Sequence, residues 1–410
     1  MIINLQSNLT KKNIVHYSSI ILISALLCST VFFRAAIEHI RYIFIAIIFI
    51  SIFSDKILAK KILTNIHLHI LAIFFLISVV SLIANKHSIS LVDEILNWTL
   101  VFVAGYVSSF HLGQNRDKIF VLIPITILTI FIIVPIILGD GFQYLDFSEK
   151  RRLQIFFTQR ANHLGLICSI SFFISLYFAL VKTDVLDKIF FIVLGFISFI
   201  VLIKTGARTS FLAAILVCFP FILWNFKKSA KLIFLTIIIF ASCILIFTQT
   251  DILKNNRISN ITKGVKNDKS FQQRKLTWTI ALDTFKSNPI LGSGFDTFEE
   301  QFKKGRKHYA SKTDFKERFP YTIGNTNHAH NFSLHFLAET GILGFFAMTF
   351  FWASVIYKGI IKNNHTTRIV AGAFLISYIA FQLNMSLYGS QLSTLLFSFA
   401  GISSYVIDER

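Results

Sequence analysis

Charge is scarce in this chain of 410 residues: 15% of positions are charged, against 54% that are hydrophobic. An ordinary soluble domain carries about 25% charged residues, so that class is excluded, and the mean hydropathy of +0.66 agrees. Strict alternation of apolar and polar residues is missing from the hydrophobic runs, which rules out a transmembrane β-barrel. The first apolar run lacks a small-residue cleavage site and is followed at once by a second run, so a retained signal anchor is expected rather than a removed signal peptide. Cysteine occurs four times, at Cys28, Cys168, Cys218 and Cys243, each inside a predicted span. Those positions indicate packing and suggest neither a disulfide nor a metal site. Acidic residues are the scarcer charged kind, 21 against 40 Lys and Arg, and the net charge of +19 suits anionic lipid surroundings.

What the chain does have is long apolar runs. Stretches close to the roughly 20 residues that cross a bilayer lie near 18–33, 41–53, 66–84, 95–112, 118–138, 161–181, 186–203, 208–226, 230–249, 333–357, 366–384 and 389–406. The expected fold is an all-α polytopic membrane protein of about twelve transmembrane helices. Residues 1–249 hold helices one to nine, 250–332 form one large, partly helical outer loop, and 333–410 hold helices ten to twelve. Pro124 and Pro135 are expected to kink the fifth. Placing Lys11 and Lys12 inside puts Lys56, Lys60, Lys61, Lys118, Lys182, Lys188, Lys227, Lys228, Lys231, Lys358 and Lys362 on the same side, as the positive-inside bias requires. Both termini are then cytoplasmic. Ten of the thirteen arginines fall on the outer side, and arginine's fixed fork of donors grips phosphate bidentately where lysine cannot. That bias points to an outer-face site for a phosphorylated ligand; compositional drift is the alternative.

The candidates concentrate in the outer segments. Lys150, Arg151, Arg152 and Arg160 stand together ahead of the sixth helix, as headgroup anchors or as ligand contacts. Lys204-Thr-Gly-Ala-Arg208 turns tightly between the seventh and eighth. Arg208 opens a helix whose N-terminal dipole disfavours a cation, so either an anion binds there or the side chain snorkels to headgroups. The large loop carries fifteen Lys and Arg against eight Asp and Glu. Within it, Ser270 and Gln273 form a capping pattern that starts a helix, closed by Asn288-Pro289, Gly292 and Gly294. Arg274, Trp278, Ala281 and Phe285 share one face of that helix, which is expected to pack inward and aim Arg274 the same way. A second, short helix is expected near 296–304, braced by Glu299–Lys303 and Glu300–Lys304.

Asn327 to Gly344 joins a histidine-rich polar run to an apolar helix. Asn331 or Ser333 is expected to cap that helix, leaving His328 and His330 just beyond its positive end, where neutral imidazole is favoured. A neutral histidine at the membrane boundary can take a proton from a hydroxyl nucleophile; equally, the pair can be interfacial with no chemistry. His335 and Glu339 follow at i,i+4, and because an intramembrane acid needs a partner, a mutual hydrogen bond that satisfies the pair is expected, with a proton relay as the alternative. Gly341 and Gly344 are expected to permit close helix packing.

Three of these segments, taken in order, resemble the O-antigen ligase and polymerase superfamily of bacterial envelope glycosyltransferases. They are Gly206-Ala207-Arg208 opening a span; Arg274, Trp278, Phe285, Asn288-Pro289 and Gly292-Ser293-Gly294; and His328-Ala329-His330-Asn331 followed by Glu339-Thr340-Gly341 and Gly344. The resemblance covers the later half of the chain, and the first five spans match in hydropathy alone. It implies a GT-C-like fold in the bacterial inner membrane, with the large loop and the active site periplasmic. It also implies an inverting transfer of glycan from undecaprenyl diphosphate to a sugar hydroxyl, with no metal and no cofactor. By position, His330 looks like the catalytic base, Arg208 and Arg274 like the residues that hold the diphosphate, and Arg160 and Arg152 like secondary contacts, with His328, Asn331 and Glu339 in support. Ala207 stands where many relatives have serine, which removes a hydroxyl and keeps the charge beside it.

The implied partners are an undecaprenyl-diphosphate-linked glycan as donor, lipid A–core oligosaccharide as acceptor and membrane lipids, with no nucleic acid. O-antigen ligase is the leading expectation. O-antigen polymerase with the same donor is the alternative, followed by a protein O-oligosaccharyltransferase and a lipid-linked sugar transporter. From the residues alone, two arginines on a leaving diphosphate can stand in for a metal, and the outer segments hold no Asp-x-Asp pair to bind one. A transporter would call for ionisable residues near the midplane or broken, repeated spans, and Glu339 is the one clear intramembrane acid.

Overall fold

A computed structural model describes residues 55–129, 161–225, 269–319, 326–362, 364–383, 387–388 and 390–409, together with Phe53 and Gly324. Regular structure among the described residues is entirely helical. In chain order the helices used below are Ile66–Ala84 (α1), Asp93–Leu112 (α2), Ala161–Val181 (α3), Val185–Thr205 (α4), Arg208–Asn225 (α5), Lys269–Ser287 (α6), Phe298–Ala310 (α7), Phe332–Ile361 (α8), His365–Leu383 (α9) and Ser390–Asp408 (α10). The runs expected at 18–33 and 230–249, and 41–53 apart from Phe53, lie outside the described residues, as does 130–138 of the fifth.

Among the described residues, five stretches are long and apolar enough to cross a membrane: Ile66–Ala84, Ile89–Leu112, Asn162–Val181, Val185–Thr205 and Phe332–Ile361. Their outer faces fit lipid. On α1, Ile73, Leu76, Val80 and Ile83 recur at helical spacing and are exposed, while Ser78 and Ser81 are buried, the reverse of a helix on a water-soluble core. On α4 the exposed stripe is Ile189, Val193 and Phe196. Polar side chains mark the ends: Asn65 caps α1 by accepting from Leu68 N at 3.0 Å, and Asp184 caps α4 through Leu186 N at 3.2 Å.

The chain divides into two compact units, residues 1–122, 273–374 and 386–410 in the first and 123–272 with 375–385 in the second. In the first, α2 and α10 pack at close range because two glycines face the opposing backbone. A Cβ on Gly105 would collide with the Ser398 carbonyl, and one on Gly401 with the Phe102 carbonyl. Trp98 and Phe397 stack above that crossing with centroids 5.1 Å apart. Below it Tyr106 donates to Asp408 at 2.8 Å, and Arg116 binds Glu409, its Nη2 at 3.0 Å. In the second unit α3 lies between α4 and α5, tied by Ser171–Ser198 at 2.7 Å and by Ser169 Oγ donating to Ser210 O at 2.9 Å. Ala207, in the turn between α4 and α5, is buried where Gly165 of α3 leaves room for its methyl group.

The segment from α6 to Phe319 has a hydrophobic core of its own. Leu276, Ile280 and Ala281 of α6 meet Phe298, Phe302 and Tyr309 of α7 and Phe319 beyond it. α7 extends further than its expected end near 304, because Tyr309 still contributes to this core and donates its hydroxyl to Asp283 of α6. The face of α6 also differs from expectation. Leu276, Thr277, Ile280 and Ala281 are buried, whereas Arg274, Trp278 and Phe285 are only half-buried. The loop core, absent from a reading that considered α6 by itself, decides the rotation. The expected pairs Glu299–Lys303 and Glu300–Lys304 form at 2.6 Å each on the exposed side of α7.

Candidate functional site

α8 is broken at Gly341, whose φ of 64° and ψ of −165° interrupt the helical ladder. A break in an apolar helix frees backbone groups that must find partners. Residues 289–294, which follow α6, supply them. Ser293 N donates to Ala338 O and Gly294 N to Glu339 O, both at 2.9 Å, while Ile342 N donates to Pro289 O at 2.9 Å and Leu343 N to Ile290 O at 3.4 Å. α1 grips the same segment, with Ser81 Oγ donating to Leu291 O at 2.5 Å and Asn85 Nδ2 to Gly292 O at 3.0 Å. The backbones come so close that a Cβ on Gly292 would overlap the Glu339 carbonyl group and one on Gly341 the Ile290 carbonyl. Both glycines also have positive φ, so neither position accepts another residue without strain. Gly341 thus admits a loop into a broken helix, a different role from the helix packing expected of it.

Glu339 completes this junction. Fully buried in α8, its carboxylate accepts from Phe298 N at 2.9 Å, from Asp296 N at 3.0 Å and from the Tyr388 hydroxyl. Phe298 is the first residue of α7, so the carboxylate lies at that helix's positive end. Every partner is a donor, the complement that a carboxylate calls for. Burial, followed by the carboxylates of Glu339, Asp296 and Glu94, raises the Tyr388 hydroxyl well above its ordinary range, which keeps it a donor. The expected His335–Glu339 hydrogen bond is not made: His335 Nε2 stands 3.6 Å from Glu339 Oε2, whose lone pairs are directed to the loop and to Tyr388. The His335 ring packs instead on Tyr388 and Phe298, with centroids 4.6 and 5.4 Å away, and neither of its nitrogens has a hydrogen-bond partner among the described residues.

The histidine pair lies just before α8. Asn331 Oδ1 accepts from Leu334 N at 2.9 Å, so Asn331 is the N-cap of α8 and Ser333 falls inside it. Ala329 is fully buried and joins the loop core with Leu276, Ile280 and Ala338. That anchor fixes the middle residue of His-Ala-His. The flanking imidazoles come together, with ring centroids 4.1 Å apart. His328 is buried, its carbonyl accepting from Thr326 Oγ1 at 3.0 Å and its Nδ1 2.8 Å from Asn327 Oδ1. His330 is half-buried and held at φ 55°, a left-handed conformation uncommon outside glycine. An imidazole so placed, partly open and at an apolar boundary, can accept a proton from a hydroxyl group.

Residues 193–349 match the family described as O-antigen ligase. This stretch belongs to the O-antigen ligase and polymerase superfamily. It contains the turn at Gly206, both loop helices, the histidine pair and the break at Gly341. No curated protein matches the chain.

Among the residues that the superfamily resemblance singles out, His328, His330, Asn331, Glu339 and Arg274 belong to the first unit, and the loop core and the α8 junction gather the first four around the N-terminal half of α8. Arg274 is half-buried on α6, two residues before Leu276 enters that core. Arg208 belongs to the second unit and opens α5 directly after Gly206, which ends α4 in a left-handed cap at φ 60° with its N–H donating to Ile203 O at 3.0 Å. Arg152 and Arg160 lie outside the described residues. Sequence reasoning missed Tyr388, Ser81, Asn85 and Ala329. Only the glycines at 292, 294 and 341 hinted at a backbone approach.

Proposed function

We propose that this protein is an O-antigen ligase. It transfers O-antigen polysaccharide from undecaprenyl diphosphate to lipid A–core oligosaccharide at the periplasmic face of the bacterial inner membrane, without a metal and with inversion. His330 takes the proton of the acceptor hydroxyl, whose oxygen attacks the anomeric carbon. The bond from that carbon to the diphosphate breaks, and its electron pair leaves on the phosphate oxygen. Arg208 and Arg274 bind the diphosphate and stabilise that charge, with Arg160 and Arg152 as secondary contacts. About twelve spans, cytoplasmic termini and a periplasmic loop over 250–332 belong to the same reading.

The observation that carries it is the setting of His330. A half-buried imidazole precedes the N-cap of an apolar helix, inside the stretch that matches the O-antigen ligase family. Deleting the gene and resolving the lipopolysaccharide on a silver-stained gel tests the proposal. Core lacking all O-chain, with polymer accumulating on undecaprenyl diphosphate, is the expected result. Core bearing a single repeat unit would make the protein a polymerase, and an unchanged O-chain would exclude both.

A further inference from the structure

The capping geometry of α8 sets out a line of ionisable groups. With Asn331 as N-cap, His330 occupies the position before the cap and His335 the fourth helical position. These are the two sites that face each other in a hydrophobic staple. Here both are imidazoles. Glu339 follows one turn below on the same face, 3.6 Å from His335. His335 is 4% exposed and neither ring nitrogen has a hydrogen-bond partner among the described residues, so it stands between a candidate base and a buried carboxylate with donor capacity unspent. We propose that Glu339 is the counter-ion of the protonated His330 and acts on it through His335.

The need for one follows from the base role assigned to His330, on which this inference rests. Once His330 holds the acceptor proton, it is a cation at the positive end of α8, where the helix dipole opposes it. Glu339 supplies the compensating charge, and its N–H and hydroxyl donors hold it in place. Other groups face the same region: His328 beside His330, and, around Tyr388, Asp296 from the loop and Glu94 from α2. All of them persist when Glu339 alone is neutralised. Glu339 and His335 are therefore positioning residues whose substitution changes the titration of His330.

The test uses the full-length chain, labelled with 13C in the histidine rings and held in lipid nanodiscs. His330 is assigned by the signal missing from His330→Ala. Glu339→Gln is expected to lower the His330 midpoint by about one unit, as loss of a nearby opposite charge does. His335→Phe keeps the ring contacts with Phe298 and Tyr388 and is expected to lower it equally. An unmoved midpoint in both variants overturns the proposal, and a shift in Glu339→Gln alone overturns the route through His335. If Glu339→Gln does not fold, His335→Phe decides. Transfer measured on the same preparations separates the two ideas: activity lost in His330→Ala with no titration shift removes only the counter-ion, whereas a shift with transfer intact in His330→Ala removes the base role.

Discussion

Asn331 and Ala329 hold His330 from either side, one as a helix cap and the other as a plug in the loop core. Replacing Asn331 with Ala costs the cap about 1 kcal/mol. Because the same cap orients the base, glycan transfer is expected to fall further than that loss of stability explains, and Asn331→Asp, which keeps the acceptor, is expected to restore both. His330→Ala is expected to reduce transfer by about 100-fold or more while leaving the melting temperature unchanged. Asp296 offers a pH test. Its side chain keeps contact with solvent, yet partial burial and the carboxylates of Glu94 and Glu299 push it up to about 6. A carboxyl raised in the folded state binds protons there that the unfolded chain does not, so stability falls as pH rises from about 4 to 6 and the penalty is complete above that range. Asp296→Asn, which tolerates the left-handed backbone at φ 57°, is expected to raise the melting temperature at pH 7.5 and to flatten its dependence on pH. A variant that melts lower at pH 7.5 would refute the repulsion.

At the scale of elements, the decisive feature is the exchange of backbone hydrogen bonds between residues 289–294 and the break in α8. Four such bonds, two polar side chains of α1 and the Glu339 carboxylate hold the loop to the membrane helices. Gly292→Ala inserts a methyl group where the Glu339 carbonyl stands and forces a positive φ on a residue that resists it. The expected cost is about 2 kcal/mol or more, seen as a lower melting temperature and faster proteolysis of the loop. Gly324→Ala, with open space around it, is the control and is expected to change neither. The exposed Glu299–Lys303 and Glu300–Lys304 pairs add little, because surface i,i+4 pairs contribute about 0.3–0.5 kcal/mol each.

Apolar stripes are exposed on α1 and on α4, and lysines and arginines are exposed along α7 and the residues that follow it. If the outer loop is periplasmic, trypsin added to spheroplasts is expected to cut among the exposed residues from Lys303 to Arg318, and the same sites are expected to resist trypsin in inverted inner-membrane vesicles. The opposite protection pattern would reverse the topology, and with it the assignment of the donor to the outer face.

Helix positions were legible in the sequence because membrane crossing depends on length and hydropathy, both local properties. The expected runs at 66–84, 161–181 and 186–203 fall on α1, α3 and α4 within a residue or two at each end. The α7 ion pairs were equally readable, resting on residues four positions apart, and the cap of α8 was legible as a choice between Asn331 and Ser333. The tertiary structure alone decided the inward face of α6, since Ile280 is buried in a cluster that draws residues from α7 and from the segment before α8. It alone decided the partners of Glu339, because a buried carboxylate takes the strongest donors brought to it in space, here the backbone of residues 296 and 298 and the hydroxyl of Tyr388, in preference to the imidazole four residues away along the chain.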